Sequence, residues 1–475
     1  MVPWVLGLVL AACSASSDGE PVAPSGGRAG QEGNATSGGQ AGARTGTAGT
    51  TSGGAGGAGA TTGGSGGDEA SGSSGHAGTA GESGAAGQAG AGGGCPTGWV
   101  CPAKPIYTST IGMWYTNIYR SVPAGGNEEF LWSVSRYQPA AGFYDSDHVP
   151  SLNTHLDQMK AAGVDFLIVD GTNGYVFTMA YDTDVLLHTQ LTRPASQRIP
   201  ISFALGAHLW AEPPGSATAV PHHQAEVDKA FHDYVSNATT TFTYAPQLTV
   251  PEGTDTIASL YHQHDGHPLL VVYNSYTPKG NGTNWLDPRF SVRHATGIIS
   301  PSDPNTAAFG QLGWWGWVTE YPQLITTEAI GVTPGADNKH RGCSGCLYSL
   351  DRQNGLYFER EWLRAIQANP GAIVVSGWND YIDETAIEPA SPIPGSMAPA
   401  YLDAYGVETP DLYLQIATAY GNLRTGLMPD AVYAEENASQ RYRVVGGKLV
   451  AQSEAPHQQP TILLPAGTLA PLLAP

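Results

Sequence analysis

Short apolar runs alternate with amphipathic stretches along most of the chain. Runs typical of strands buried on both faces lie at 111–115, 164–169, 199–205, 269–273, 313–317, 329–332 and 372–378, and an eighth is expected near 290–295. Helical spacing of apolar residues lies at 148–162, 222–236 and 356–368. Alternating strands and helices predict a parallel sheet, and eight units predict a single closed (β/α)8 barrel of the TIM type, of class α/β. An open doubly wound sheet is the alternative, but it calls for a Gly-rich phosphate loop that does not follow the first strand here.

The first 94 residues follow a different pattern. An apolar run ends at Leu10-Ala11-Ala12-Cys13 and has the length of a secretory signal rather than of a membrane span. Its end resembles the lipidation signal of bacterial lipoproteins, although no Lys or Arg precedes it. We therefore expect an exported protein, anchored through a lipid on Cys13 in the outer membrane or at the cell surface. A plain cleaved signal, with Cys13 inert, is the alternative.

Composition then divides the chain into four parts. We expect a signal peptide and lipidation site at 1–13 and a low-complexity linker at 14–94. The glycine, alanine, serine and threonine of that linker bury too little apolar surface to offset ordering entropy, which predicts a disordered tether. The barrel is expected at 95–425, and a C-terminal extension of undefined structure at 426–475, with a hairpin at 442–450.

The four cysteines that follow the linker predict disulfides, because an exported protein meets an oxidising environment. Local pairing gives Cys95–Cys101 and Cys343–Cys346, and two other connectivities remain open. A zinc site built from all four cysteines is an alternative. A redox role for the Cys343–Cys346 motif would need a βαβ context that the pattern does not supply.

Charge and histidine spacing narrow the range of partners. The formal net charge of −20 repels phosphate backbones, so no nucleic-acid partner is expected. Few charged and many aromatic residues suit a neutral ligand such as a polysaccharide or oligosaccharide. The histidine clusters, His222-His223 and His262, His264 and His267, lack the helical H-E-x-x-H pattern, so no metal or other cofactor is predicted. We expect a monomer that contacts the membrane only through its lipid anchor.

The segment 376–389, SGWNDYIDETAIEP, carries the strongest chemical signal because it follows the last predicted strand directly. Active sites of barrels lie at the carboxyl ends of their strands. Glycoside cleavage needs one protonated and one ionised carboxyl group. Asp380 and Asp383 are three residues apart, which on a helical turn puts both on one side. A solvated acidic loop is the alternative interpretation.

The same segment resembles the strand-eight motif W-N-E-W-x-E-G-T-x-I-E-P of glycoside hydrolase family 99, and W-N-D-Y-G-E-S of family 71, the α-1,3-glucanases. The stretches 142–147, 155–166 and 333–341 also resemble those families, so the resemblance covers roughly residues 105–425. It implies that Asp380 is the first catalytic carboxylate and Asp383 the second. The second is glutamate in both families, and aspartate retracts the carboxyl by about 1.5 Å. Glu384 as the proton donor, or an inactive site, therefore stays open.

Other strand ends supply candidates for substrate binding. The full set is Trp114, Tyr115, Asp170, His208, Trp210, Asn274, Tyr276, Trp315, Trp317, Glu320, Trp378, Asn379 and Tyr381. Tryptophan suits a sugar face, although inward tryptophan in a barrel is often core. We expect one of Trp314, Trp315 and Trp317 to be exposed.

These observations favour an endo-acting glycoside hydrolase of an α-linked polysaccharide, either α-glucan or α-mannan. A non-catalytic glycan-binding lipoprotein with a degenerate site is the main alternative. A structural or adhesive surface protein, which would bind no saccharide, is the third.

Overall fold

The computed structural model describes residues 95–102, 104–120, 132–172, 177–206, 219–253, 255–273, 286–295, 298–299, 315, 318–319, 325–342, 348–403, 406–452 and 460–473. The signal peptide, Cys13, the linker and the pair Cys343 and Cys346 lie outside these residues. Within them, no helix has the length and apolar character needed to cross a membrane.

A parallel sheet organises the chain. Its strands are β1 (Thr110–Tyr115), β2 (Phe166–Gly171), β3 (Ile201–Gly206), β4 (His267–Tyr273), β5 (Ser291–Ala295), β6 (Ala329–Val332) and β7 (Ala372–Val375). They pair in the order β6–β7–β1–β2–β3–β4–β5, all parallel. The last strand thus lies beside the first, and no neighbour order reverses, which is consistent with a barrel and not with a doubly wound sheet.

Between β5 and β6 the chain adds a short parallel pair, Ile298–Ile299 with Val318–Thr319. Val318–Thr319 contacts β6. Of the strand predicted at 313–317 only Trp315 is described, and it lies in no regular element; the described pairing is at Val318–Thr319. The other seven predicted strands are confirmed to within a few residues.

Side chains on the two faces of the sheet form two separate cores. Trp114, Phe166 and Ile168 belong to a smaller cluster made of sheet and loop residues. Tyr115, Leu167 and Val169 belong to a larger cluster that includes residues of the surrounding helices. Because successive side chains of a strand alternate between faces, the smaller cluster marks the inside of the curled sheet. Asp170, two residues beyond Ile168, shares that inner face.

The helices are α1 (Val149–Ala161), α2 (Phe177–Leu191), α3 (Ala219–Ala230, continued by a π-turn at Phe231–Val235), α4 (Leu356–Ala368), α5 (Leu412–Leu423) and α6 (Ala470–Leu473). The predicted α1, α3 and α4 are confirmed. On the buried face of α4, Trp362 stacks on Tyr420 of α5, with ring centroids 5.2 Å apart. α5 thereby joins α4 in covering the outer face of the sheet.

The C-terminal extension is an ordered sheet, which the sequence had left undefined. Its strands are β8 (Val432–Glu435), β9 (Arg441–Val445), β10 (Lys448–Gln452) and β11 (Thr461–Leu464), in the order β10–β9–β8–β11. The predicted hairpin around Gly446 and Gly447 is present, and both glycines have positive φ. Tyr420 fixes the sheet to α5, because its hydroxyl donates to the Leu463 carbonyl (3.0 Å) and accepts from the Leu463 N–H (3.1 Å).

The N-terminal end of the described chain is a disulfide-closed loop. Cys95 and Cys101 are bonded, as the sequence predicts. The adjoining Val100 exchanges backbone hydrogen bonds with Met428 (3.1 and 2.8 Å). The loop is thus held beside the segment that enters the C-terminal sheet.

Candidate active site

The segment 376–389, called the site loop below, leaves β7 through a glycine turn and closes on itself. Gly377 has φ +74°, and a Cβ there would lie 2.2 Å from the Thr385 hydroxyl. The Glu388 N–H donates to the Trp378 carbonyl (2.8 Å), which closes the base of the loop. The Trp378 N–H donates to the Trp114 carbonyl (2.8 Å), which fixes the loop to the carboxyl end of β1. The site loop therefore occupies the junction of the first and last strands.

Asp380 is held inside the site loop by three donors. Its Oδ1 accepts the N–H groups of Ile382 and Asp383, each at 3.0 Å, and its Oδ2 accepts the Thr385 hydroxyl at 3.0 Å. Its exposed fraction is 2%. Donors aimed at both oxygens stabilise the ionised form of a carboxylate.

Asp383 occupies a contrasting environment. It is half-buried, and burial together with the charge of Asp380 raises the pKa of Asp383 to about 7, although Tyr348 and Arg341 oppose the shift. The Tyr348 hydroxyl donates to its Oδ2 at 2.8 Å. Its Oδ1 accepts no hydrogen bond from the described residues, and the Arg341 Nη1 lies 3.6 Å away. A carboxyl group with such a pKa carries its proton through much of the neutral range.

Asp170, at the end of β2, is the third carboxylate of the cluster. Its Oδ1 accepts the Thr172 N–H (2.9 Å) and hydroxyl (2.7 Å). Burial raises the pKa of Asp170 to about 6, with the charge of Asp380 as a further cause. Since Asp170 also contributes to the raised pKa of Asp383, all three groups act on one another electrostatically.

Glu384 does not fit the alternative role of proton donor. Its carboxylate takes a two-point ion pair from Arg136, with Nε–Oε1 at 2.6 Å and Nη2–Oε2 at 2.7 Å. It is buried, and its backbone has φ +55°. The bidentate guanidinium thus occupies both oxygens of the Glu384 carboxylate. Arg136 also binds Asp337 at 2.7 Å, so Glu384 and Asp337 anchor the site loop to neighbouring segments.

Most of the aromatic residues predicted to bind sugar are core residues. Trp114, Tyr115, Trp315, Trp378 and Tyr381 are each at most 1% exposed. Trp114 and Trp315 fill the inside of the sheet, while the other three pack with the outer core. Of the three tryptophans of which one was expected to be exposed, Trp315 is buried, and Trp314 and Trp317 lie outside the described residues.

Asn379 is a structural residue rather than a sugar ligand. Its side-chain oxygen accepts the Thr116 N–H (2.9 Å), and its amide donates to the Thr116 carbonyl (2.8 Å). It thus imitates a strand pairing between the site loop and the end of β1. The remaining predicted ligands lie outside the described residues: Trp317, His208, Trp210, Asn274, Tyr276 and Glu320.

Several residues at the site were not predicted as functional. Tyr348, which binds Asp383, follows the CxxC segment and carries no motif that would single it out. Arg136 lies far from the site loop in sequence. Glu388 stands inside the recognised segment, but its partners Tyr144 and His155 emerge only from the fold.

Within the part of the chain that the structure describes, two clusters bring together groups able to bind metal. They are His264, Asp265 and Glu328, and Asp337, His340 and Glu384. Arg293 already pairs with Asp265 and Glu328 in the first, and Arg136 with Asp337 and Glu384 in the second. A guanidinium in each cluster takes the place that a cation would need, so both are better described as ion-pair networks.

No protein-family model and no curated protein matches the chain. Among solved structures it is similar to the family 99 endo-α-mannosidase of Bacteroides thetaiotaomicron in complex with bis-tris propane, with 15% identity and a TM-score of 0.43, over 66% of this chain and 98% of that one. It is also similar to a glycoside hydrolase-like protein, with 12% identity and a TM-score of 0.40, over 69% of this chain and 97% of that one.

Proposed function

We propose that the protein is a glycoside hydrolase in which Asp383 is the general acid and Asp380 the ionised partner. One observation carries the proposal: two carboxyl groups three residues apart, at the carboxyl end of the sheet, have opposite surroundings. Three donors bind the side chain of Asp380, while burial and the charge of Asp380 raise the pKa of Asp383 to about 7. Two neighbouring carboxyl groups, one of which keeps its proton near neutral pH, can supply the acid and the base of a hydrolase.

In this mechanism the proton leaves from Asp383 Oδ1. The proton is assigned to Oδ1 because Tyr348 donates to Oδ2, whereas the buried Oδ1 accepts no hydrogen bond from the described residues. Protonation of that oxygen lets the bond to the anomeric carbon break with an alcohol leaving. The ionised Asp383 is then stabilised by Arg341 at 3.6 Å. The anomeric carbon then takes the hydroxyl of a water molecule. Asp380 either accepts the proton of that water as a base, or first bonds to the anomeric carbon as a nucleophile and is released when water attacks and gives its proton to Asp383.

The substrate proposed is an α-linked neutral polysaccharide, an α-glucan or α-mannan, cut at internal positions. The support is the resemblance of the site loop to the motifs of families 99 and 71, together with the acidic charge of the chain. We further propose that the enzyme is exported and displayed as a monomer on a lipid anchor at Cys13, where polymer is met before uptake.

A second candidate function is glycan binding without turnover. The observation in its favour is the burial of Asp380, whose exposed fraction is 2%. An anion so enclosed can be a structural brace for the turn at Ile382 and Asp383. The two functions share the fold and differ in whether the site loop performs chemistry.

The test is an assay of the purified full chain against α-glucans and α-mannans, with new reducing ends as the readout. The matched control is the double variant Asp380→Asn/Asp383→Asn, which keeps the shape of the site. Turnover by the wild type that the control lacks supports the hydrolase. Saccharide binding without turnover supports the second function, and neither binding nor turnover on any polymer overturns both.

Activity should fall as the pH rises through the pKa of Asp383, because the acid is competent only while it is protonated. Tyr348 stabilises the ionised form, so Tyr348→Phe should raise the pKa of Asp383 and move the alkaline limb of the kcat/KM profile upward, by up to about one pH unit. Tyr420→Phe, which removes a buried hydroxyl bonded to the Leu463 backbone, is the control. A limb that moves downward or stays fixed in Tyr348→Phe would remove Asp383 from the role of acid.

A further inference from the structure

A buried polar network lies beneath the site loop, and its centre is Glu388. The hydroxyls of Tyr144 and Tyr381 both donate to Glu388 Oε2 at 2.9 Å. His155 Nε2 lies 3.0 Å from Oε1, and the Tyr115 hydroxyl lies 3.1 Å from His155 Nδ1. All five residues are at most 5% exposed. A carboxylate withdrawn this far from water needs such partners to compensate for the lost hydration.

The network connects the site loop to α1 and to the end of β1. His155 comes from α1, and Tyr115 from the end of β1. Asn379 donates to the Tyr144 hydroxyl at 3.1 Å and clamps the backbone of Thr116. The network thus ties the site loop to β1 and α1 through side chains, in addition to the backbone bonds at its base.

Glu388 holds the site loop at two points. Its N–H, bonded to the Trp378 carbonyl, closes the base of the loop. Its carboxylate holds Tyr381, which stands between Asp380 and Asp383 in the loop, and the Tyr381 N–H donates to the Tyr119 hydroxyl at 2.9 Å. Tyr381, the residue that follows Asp380, is therefore fixed both at its backbone and at its ring.

We infer, on the basis of the proposed hydrolase, that Glu388 is a positioning residue. It sets the orientation of Asp380 and Asp383 by accepting the hydrogen bond of the Tyr381 hydroxyl. Glu388 is 3% exposed and bonded to Tyr144, Tyr381 and His155, so it acts through the loop and not on the sugar. Displacing a catalytic group by ~1 Å can cost a hundredfold in rate. Glu388 would thus position the two proposed catalytic carboxyl groups of the site loop without taking part in the chemistry itself.

The test is Glu388→Gln, with Glu359→Gln as a matched control. Glu359 is a buried glutamate of α4, where burial raises its pKa to about 8, so glutamine imitates the protonated group it carries at neutral pH. We expect Glu388→Gln to lower kcat by roughly 10- to 100-fold with KM nearly unchanged, and Glu359→Gln to leave both within twofold. Equal kcat in wild type and Glu388→Gln, with both folded, would overturn the inference.

Two further variants keep the inference testable if Glu388→Gln does not fold. Tyr144→Phe and Tyr381→Phe each remove one hydroxyl from the same oxygen. If Glu388 acts through Tyr381, loss of the Tyr381 hydroxyl should lower kcat severalfold. The effects of Tyr381→Phe and Tyr144→Phe should then depart from additivity when the two are combined. Additive losses, or a fall in stability with no fall in kcat, would show a merely structural network.

A readout without substrate separates failure of this inference from failure of the proposed function. The carboxyl titration of Asp383 can be followed spectroscopically in the full chain, using Asp383→Asn to assign the signal. If Glu388 holds Asp383 near Asp380, Glu388→Gln should shift the pKa of Asp383 towards its ordinary value. A shift in a chain that hydrolyses nothing would support the positioning role and defeat the hydrolase, and an unmoved titration would defeat the positioning role.

Discussion

Replacing Asp383 by alanine should lower turnover of a natural α-glycoside by roughly 10²- to 10⁴-fold, the range expected for loss of a general acid. The reason is that the alcohol leaving from a natural glycoside needs a proton, and Asp383 is the carboxyl group whose pKa is raised to about 7. In an aryl glycoside with an acidic phenol, the phenolate leaves without needing that proton. Asp383→Ala should therefore retain most of its activity on the aryl substrate.

Asp380→Ala is expected to behave differently, losing activity on both substrates, because support for the charge on the sugar is needed whatever the leaving group. Asp170→Asn serves as the third arm, since Asp170 lies in the same cluster and its pKa is also raised. If Asp170→Asn shows the leaving-group dependence and Asp383→Ala does not, the acid lies at the end of β2. Rates measured on the two substrates for all three variants decide among these assignments.

The second large effect concerns stability. Arg136→Met should lower the free energy of unfolding by roughly 3–5 kcal/mol, the range found when one member of a buried ion pair is removed. The variant leaves the buried carboxylate of Glu384 without its two-point partner, and also deprives Asp337 of its ion pair. For a domain of this size a Tm lower by about 5 °C is expected.

Arg443→Met provides the matched control for that measurement. Arg443 pairs with Asp430 at 3.4 Å, and their side chains are 34% and 53% exposed. Exposed pairs contribute roughly 0–1 kcal/mol, so its Tm should change little. Similar Tm values for both variants would show that Arg136 is not the anchor of the site loop.

The sequence predicted the sheet well because its strands are buried on both faces. In the strand Phe166–Gly171 the first four residues are apolar and all six are buried. Tryptophan satisfies the same apolar pattern whether it is paired in a strand or packed in a core, and Trp315, the one described residue of the run predicted at 313–317, is packed. The C-terminal sheet was missed, apart from its hairpin, because its strands are only four or five residues long and share no common burial pattern.

The site could be predicted only where its parts are neighbours in the chain. Asp380 and Asp383 share one segment, so spacing and resemblance both point to them. Tyr348 and Arg136 reach that segment from distant parts of the chain, and no periodicity reports such contacts. The aromatic residues were misjudged for a different reason: tryptophan and tyrosine suit a sugar face and a barrel core equally well, and burial alone separates the two roles.

The pairing of the last strand of the parallel sheet with the first has a consequence for the order in which the protein folds. Thr110 lies opposite Ala372, so nearly the whole barrel must be synthesised before β1 acquires this neighbour. Contacts so distant along the chain form late, because loop-closure entropy opposes them. The cluster around Asp380 and Asp383 cannot assemble on a nascent chain that stops short of β7. A product truncated before β7 would therefore lack Asp380 and Asp383, on which the proposed activity depends.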